Sequence, residues 1–398
     1  MVRNRGARYR WWLLGVLLSL LTAGELSALS RDSEWLIRVG LERGAFGEVI
    51  YVRAQGGSLR WVNPDTGQTL LEAAEGTLWQ VRLESGQLVA RSSGARVSAR
   101  RLHAQPVGSA LLTVGTDPNR LRRYRGALEW VPRDGKLLTL NWVRLDDYLK
   151  AVLPMEMPPN FPMEALKAQA VASRSFTLKR LNRYRQWGYD LCDHAPCQVY
   201  GGVDAERPTT NQAVESTAGE VLYYNGAVLE AVYTGNCGGH TAPIELVMAG
   251  TRALEPLQGV PDTDREGKPY CNLAPNSEWR VLLTRDALQK AFPQVGAIRS
   301  LTIEEQAPSG YVARLKLVGE KATLTLTGAE FRARIGATVL RSQRFTLQPL
   351  SDGWEAIGRG SGHGAGLCQW GANGRARARQ TYAEILQAYY PNTTLGKW

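Results

Sequence analysis

The sequence predicts an α+β protein, with a β-rich N-terminal part followed by a mixed α/β catalytic core that carries a substrate cleft. Three observations support this. Residues 35 to about 150 run as short stretches of alternating apolar and polar side chains, broken by turn residues. A long run of helical period then starts near Asn160. Beyond it, strands and helices mix without the alternating rhythm of a parallel sheet. The chain has 398 residues, 44% of them hydrophobic, enough for two or three domains with a substantial core. No fixed-period repeat or low-complexity tract is present. The expected division is a signal peptide at 1–30, a β-rich region at 31–144 and a catalytic region at 145–398.

Arg3, Arg5, Arg8 and Arg10 precede an apolar run from Trp11 to Ala23, and Ala28-Leu29-Ser30 fits a small-x-small cleavage site. This is the pattern of a secretory signal. The alternative, a retained anchor, needs about 20 apolar residues. An exported protein is therefore expected, in the periplasm or the cell wall, with no transmembrane segment after cleavage. Of the formal charge of +11, a balance of +8 stays with the mature chain. The basic residues are scattered, which supports weak attraction to an anionic envelope and no more. Export excludes nucleic acid as the partner.

The elements follow in order. Glu48–Arg53, Ser58–Val62, Leu78–Leu83 and Leu137–Val143 alternate as strands, with turns such as Asp65-Thr-Gly67 between them. The helix from Asn160 to about Tyr184 has Asn160 as its cap, Pro162 in its first turn and Glu164 at its positive end. A helix near 209–218 and strands at 221–224 and 228–233 come next, then a long loop from Ala249 to Glu278. Residues 279–350 carry one helix, 286–291, and four strands. Two short helices, near 366–379 and 382–389, close the chain.

Several side chains have the chemistry of a site. Glu156 lies among Leu153, Met155 and Met157, between two prolines. Apolar surroundings raise a carboxyl pKa by desolvation, as a general acid at neutral pH requires; the plainer reading is a partly exposed loop glutamate. Lys167 and Arg174, seven apart, share one side of the helix among small residues. They pin a buried carboxylate, bind substrate, or snorkel at the helix edge. Cys192, His194 and Cys197 are weak metal candidates, but their spacing matches no common zinc pattern, and an oxidising compartment favours a Cys192–Cys197 disulfide. Of the remaining cysteines, Cys237 and Cys271 are expected to pair and Cys368 to stay free. Two glycine-rich stretches carry histidine, at His240 and His363; neither has phosphate-loop spacing, and together they suggest a shared cleft. No nucleophile elbow is present.

These segments together resemble the stage II sporulation protein D family, which includes the modifier protein of the major autolysin. The resemblance runs through Leu145-Asp-Asp-Tyr-Leu-Lys-Ala-Val-Leu-Pro-Met-Glu-Met-Pro158, Glu164-Ala-Leu-Lys-Ala-Gln-Ala-Val-Ala-Ser-Arg174, Cys197-Gln-Val-Tyr-Gly201 and Asn236-Cys-Gly-Gly-His-Thr241. It ends in Gly362-His-Gly-Ala-Gly-Leu-Cys-Gln-Trp-Gly-Ala372 and Tyr382-Ala-Glu-Ile-Leu-Gln-Ala-Tyr-Tyr-Pro391. It implies a lytic transglycosylase that cuts peptidoglycan glycan strands, preferably those stripped of stem peptides by an N-acetylmuramoyl-L-alanine amidase, and leaves 1,6-anhydro ends. Glu156 would be the acid/base, with Lys167 and Arg174 beside it; Tyr200, His240, His363 and Gln369 would line the sugar cleft. No cofactor is expected, zinc being the alternative. Two other functions fit the same motifs: a non-catalytic, wall-binding amidase enhancer, and a zinc-dependent amidase or endopeptidase.

Overall fold

The computed structural model describes residues 36–398; the signal peptide read at 1–30 lies outside them. The alternating N-terminal stretches form two sheets. In the first, Leu191–Cys192, Leu36–Gly40, Lys136–Arg144, Ala127–Arg133, His103–Pro106, Leu59–Asn63 and Gln68–Ala73 lie in that spatial order. The second runs Arg122–Tyr124, Leu111–Gly115, Ile50–Gln55, Trp79–Glu84, Gln87–Arg91, Arg96–Ala99. Alternation buries one side of each strand, and tryptophans join the sheets: Trp61 of the first meets Trp79 of the second at 5.2 Å between ring centroids and Trp130 of its own sheet at 5.5 Å. Leu191–Cys192, from far along the chain, adds in parallel to Leu36–Gly40. One apolar core consequently runs from Ile37 to Tyr390 across the boundary expected at residue 144.

Eight α-helices follow among the described residues: α1 (Leu145–Glu156), α2 (Met163–Lys179), α3 (Pro208–Ser216), α4 (Ile244–Val247), α5 (Arg285–Ala291), α6 (Gly328–Ile335), α7 (Gln369–Arg377) and α8 (Tyr382–Tyr389). Helix α1 was not expected. Its buried Leu145, Tyr148, Leu149, Val152 and Leu153 recur at helical spacing, and Pro154 stands in its last turn, where it gives up the one bond its N–H would make to the Lys150 carbonyl and no helix continues beyond it to be kinked. Glu156 is thus the last residue of a helix, not a loop residue. Helix α2 begins at Met163, with Pro162 rather than Asn160 at its cap. It ends at Lys179, and Asn182 takes a left-handed φ of 64° just beyond.

Helix α2 is buried on nearly every side from Ala165 to Thr177. It packs against α1, α3, α7, α8 and the strand Glu220–Tyr224. Its alanines and serines let neighbours approach, and its polar groups find internal partners. Ser175 Oγ donates to the Val171 carbonyl and accepts the Leu222 N–H, both at 2.9 Å. Arg174, 1% exposed, donates from Nε and Nη2 to Asp146 Oδ1 at 3.0 and 2.9 Å and to the carbonyls of Glu220 and Val214. It clamps three helices and a strand together.

Residues 279–356 build a second core around Trp279, Phe292, Leu315, Phe331 and Trp354, from two three-stranded sheets with α5 and α6. Helix α6 also escaped the sequence reading, although Thr327 and Glu330 form a capping box at its start. Around this insertion Tyr233–Thr234 pairs in parallel with Leu367–Cys368, which brings the two glycine-rich stretches side by side. Cys192 and Cys197 form a disulfide. The expected Cys237–Cys271 bond is corrected: those sulfurs stand 3.9 Å apart, and Cys237, Cys271 and Cys368 are all free and buried.

The Arg174 side chain is buried and holds the Glu220 and Val214 carbonyls as well as the half-buried Asp146, so Arg174→Ala leaves a cavity and unpaired acceptors and is expected to lower unfolding free energy by about 3 kcal/mol. Lys167, paired with Glu164 near the surface, is expected to cost less than about 1 kcal/mol as Lys167→Ala. Urea-denaturation midpoints of the two variants check the difference.

Candidate functional site

A cleft of about 450 Å³ opens at the C-terminal end of α1, lined by residues that include Glu156, Phe176, Arg180, Arg183, Tyr233 and His363. Glu156 is the one acidic residue on its wall among the described residues. Burial holds the Glu156 carboxyl above its ordinary range, offset in part by the Val199 N–H, which donates to Oε1 at 3.0 Å. Val199 is in turn fixed by its neighbour. The buried Gln198 side chain accepts from Tyr148 (3.2 Å) and Thr177 (2.7 Å) and donates to the Tyr233 hydroxyl (3.0 Å). The Cys192–Cys197 disulfide anchors the same segment, and Cys197 itself lines the cleft.

His363 reaches the cleft from the second glycine-rich stretch. Its Nε2 lies 2.8 Å from the Tyr233 carbonyl, and its Nδ1 accepts the Ala365 N–H at 3.1 Å. Those partners assign a neutral ring protonated at Nε2. Burial lowers its pKa to about 4, so it stays neutral near pH 7. With both nitrogens engaged, His363 orients the wall rather than moving protons. Glycine is required here, because a Cβ on Gly364 would strike the Tyr311 hydroxyl and one on Gly366 the Val232 carbonyl.

The other expected site residues lie elsewhere. Tyr200 is a core residue: its hydroxyl donates to Asn141 Oδ1 at 2.8 Å and its ring packs 4.9 Å from Tyr148. Lys167 pairs with Glu164 at 2.9 Å and sits over the Tyr382 ring, while Arg174 is the buried clamp described above. The side of α2 they share packs against other helices. His240 Nδ1 lies 2.7 Å from the Thr241 carbonyl, and the buried Gln369 donates to Gln169 at 3.4 Å; neither lines this cleft. Cys192, His194 and Cys197 form no ligand set, since the sulfurs are bonded to each other and His194 Nε2 lies 2.8 Å from Glu42.

Sequence reasoning missed Phe176, Arg180 and Arg183. Their i, i+4, i+7 spacing continues past Arg174 and was the available signal. The Arg180 guanidinium lies 4.1 Å from the Phe176 ring centroid and pairs with Glu230 at 2.6 Å. Arg183 is exposed at the cleft. A smaller depression of about 420 Å³ is lined by Gly235, Asn236, Arg341, Ser361 and Trp370 among others. Gly235 and Ser361 lie two residues from Tyr233 and His363, so the same paired stretches border both hollows.

Fold and cleft together define an α+β protein with one buried carboxyl at a helix end, facing arginines and aromatic rings. The chain belongs to the stage II sporulation protein D family. The family model, Stage II sporulation protein, matches residues 133–224, the stretch that holds α1, α2 and Glu156. A second model, Domain of unknown function (DUF8618), matches residues 276–366 and so covers the inserted core. An uncharacterised protein of Brachyspira hyodysenteriae is 34% identical over 67% of this chain and 70% of its own length. The amidase enhancer of Bacillus subtilis is 30% identical over 62% of this chain, which spans 40% of that protein. Stage II sporulation protein D of Bacillus subtilis is 26% identical over 77% of this chain and 88% of its own.

Because the folded pKa of Glu156 is raised, the folded state holds its proton more tightly than the unfolded state does. That contribution is complete below the unfolded pKa of about 4.3 and is lost as pH rises through the folded value. Gln carries no charge and keeps an acceptor for Val199. Glu156→Gln is therefore expected to be more stable than wild type at neutral pH and nearly equal to it in acid, as thermal melts across pH will read.

Proposed function

We propose that the protein is exported and cleaves peptidoglycan glycan strands as a lytic transglycosylase, with Glu156 as its single acid/base. The observation that carries this reading is one carboxyl of raised pKa on a cleft wall that has no second acid among the described residues. Ordinary glycosidases use two carboxyl groups, one of them to activate water or to form a covalent intermediate. A muramic acid residue supplies its own 6-hydroxyl instead. Glu156 donates its proton to the glycosidic oxygen as the anomeric carbon–oxygen bond breaks. The 6-hydroxyl oxygen bonds to that carbon, and its proton returns to Glu156. No water is consumed, and the carboxyl is restored.

Arg180 and Arg183 suit strands without stem peptides. Removing the peptide frees the lactyl carboxylate of each muramic acid, an anion that guanidinium groups bind well. An N-acetylmuramoyl-L-alanine amidase would supply such strands, which agrees with a relative named amidase enhancer. That name also favours a second reading, in which the cleft binds denuded strands and stimulates an amidase without cutting. Export is supported by the leader pattern in the sequence. Among the described residues no helix is long and apolar enough to cross a membrane.

Digestion of denuded strands by the full chain, read by mass spectrometry, separates the two readings. The expected products are one water lighter than hydrolytic ones. Glu156→Gln should slow their release by roughly 10²–10⁴-fold, and the wild-type rate should fall as pH rises through the raised pKa of Glu156. Undiminished cutting by a folded Glu156→Gln variant sinks the mechanism. Strands retained but uncut by both proteins support the amidase-enhancer reading.

A further inference from the structure

Four residues outside this cleft meet in one place. Cys237 follows the strand Tyr233–Thr234, Asp262 lies in the long loop, Cys271 sits in the short turn Tyr270–Leu273, and Cys368 ends the strand before α7. Their ligand atoms all lie within 4.8 Å of one another, and all four residues are 0% exposed. The Cys237 sulfur is 3.9 Å from that of Cys271 and 3.3 Å from Asp262 Oδ2. Sulfurs in a disulfide stand about 2.0 Å apart. Two thiolates on one tetrahedral zinc, each about 2.3 Å from the ion, stand about 3.8 Å apart. The observed separation is that of shared coordination.

We propose that Cys237, Asp262, Cys271 and Cys368 form a closed, structural site for a thiophilic divalent ion of the zinc class. Three sulfurs select such an ion over magnesium or calcium, and four protein ligands with no exposed position leave no place for substrate. The surroundings are arranged for it. Asp262 Oδ1 accepts from the Tyr389 hydroxyl at 2.7 Å and from Arg375 Nε at 3.1 Å, which turns Oδ2 toward the sulfurs. The Cys368 sulfur accepts backbone N–H groups of Cys237 at 3.2 Å and Gly371 at 3.3 Å, partners suited to a thiolate. Arg375, stacked on Tyr270 and Tyr389, offsets part of the buried negative charge. Gly371 has no room for a side chain, because its Cβ would strike Asp262 and Tyr389. The ion would staple the Asn236–His240 turn and the start of α7 to the long loop, and thereby hold Asn236 and Trp370 on the wall of the smaller hollow.

The test uses the full chain purified without chelator. Elemental analysis should find about one zinc per chain. Cobalt replacement should give thiolate-to-cobalt charge-transfer absorption that Cys271→Ser weakens and Cys192→Ser leaves intact. Tyr389→Phe, which removes one bond to Asp262 and leaves the ligands in place, should weaken the ion's apparent affinity by about 10-fold. Alkylation of Cys237, Cys271 and Cys368 should require chelator. A metal-free chain whose peptide map shows Cys237 cross-linked to Cys271 overturns the proposal. So does a cobalt band lost in Cys192→Ser and kept in Cys271→Ser.

Discussion

The buried side-chain amide of Gln198 is the joint on which the cleft depends. An amide has two acceptor and two donor sites, and this one uses them on Tyr148 of α1, on Thr177 and the Ser173 carbonyl of α2, and on Tyr233 of the strand beside the glycine-rich stretch. A buried polar group left unpaired costs about 1–3 kcal/mol, so the arrangement of these elements that satisfies it is favoured by that amount over one that does not. Once Gln198 is placed, Val199 must present its N–H to Glu156 and Tyr200 must turn back into the core.

The same logic explains α2. A helix buried on nearly every side would be expected to be apolar throughout, yet this one carries Gln169, Ser173, Arg174, Ser175 and Thr177 among its buried residues. Gln169 bonds to Ser173 within the helix and accepts from Gln369 of α7, Arg174 reaches α1 and α3, Ser175 accepts from Leu222 and Thr177 donates to Gln198, and α2 becomes the post against which α1, α3, α7 and α8 are registered. Arg174 belongs to that scaffold. Its tie to Asp146 fixes α1 on α2, and the far end of α1 carries Glu156. In this geometry Arg174 ties down the helix that carries Glu156, whereas Arg180 and Arg183 are the basic residues on the cleft wall itself.

Charge is distributed unevenly across the site. One carboxyl is held toward its neutral form by burial, one imidazole is held neutral by burial and two hydrogen bonds, and the guanidinium groups of Arg180, which pairs with Glu230, and of the exposed Arg183 share the wall. Among the described residues Glu156 is the one acid on that wall, which is the charge pattern the proposed anionic strand would meet. The inserted core at 279–356 adds no residue to the wall of the main cleft and borders the smaller hollow through Ala337, Thr338 and Arg341.

The sequence by itself determined the elements whose causes are local. Period-two alternation marked the N-terminal strands, helical spacing marked most of α2, and two cysteines five positions apart in a chain expected to be exported pointed to the Cys192–Cys197 disulfide. Glu156 was legible as a carboxyl among apolar neighbours, and desolvation is what raises its pKa. Local signals misled where a breaker residue sat inside a helix: Pro154 hid α1 although its apolar spacing is regular. What only the tertiary structure decided is what meets across long separations. Spacing on α2 placed Lys167 and Arg174 on one side, but only packing shows that this side faces other helices. Tyr200 and His363 looked alike as polar site residues; His363 lines the cleft, but in the other segment alternate residues point opposite ways, so Cys197 and Val199 face the cleft and Tyr200 turns into the core. Cys237 and Cys271 read as a pair until the parallel pairing of Tyr233–Thr234 with Leu367–Cys368 brought a third sulfur and Asp262 to the same point. Contacts between residues 25 to 131 positions apart are set by how sheets and helices stack, and no local pattern encodes them.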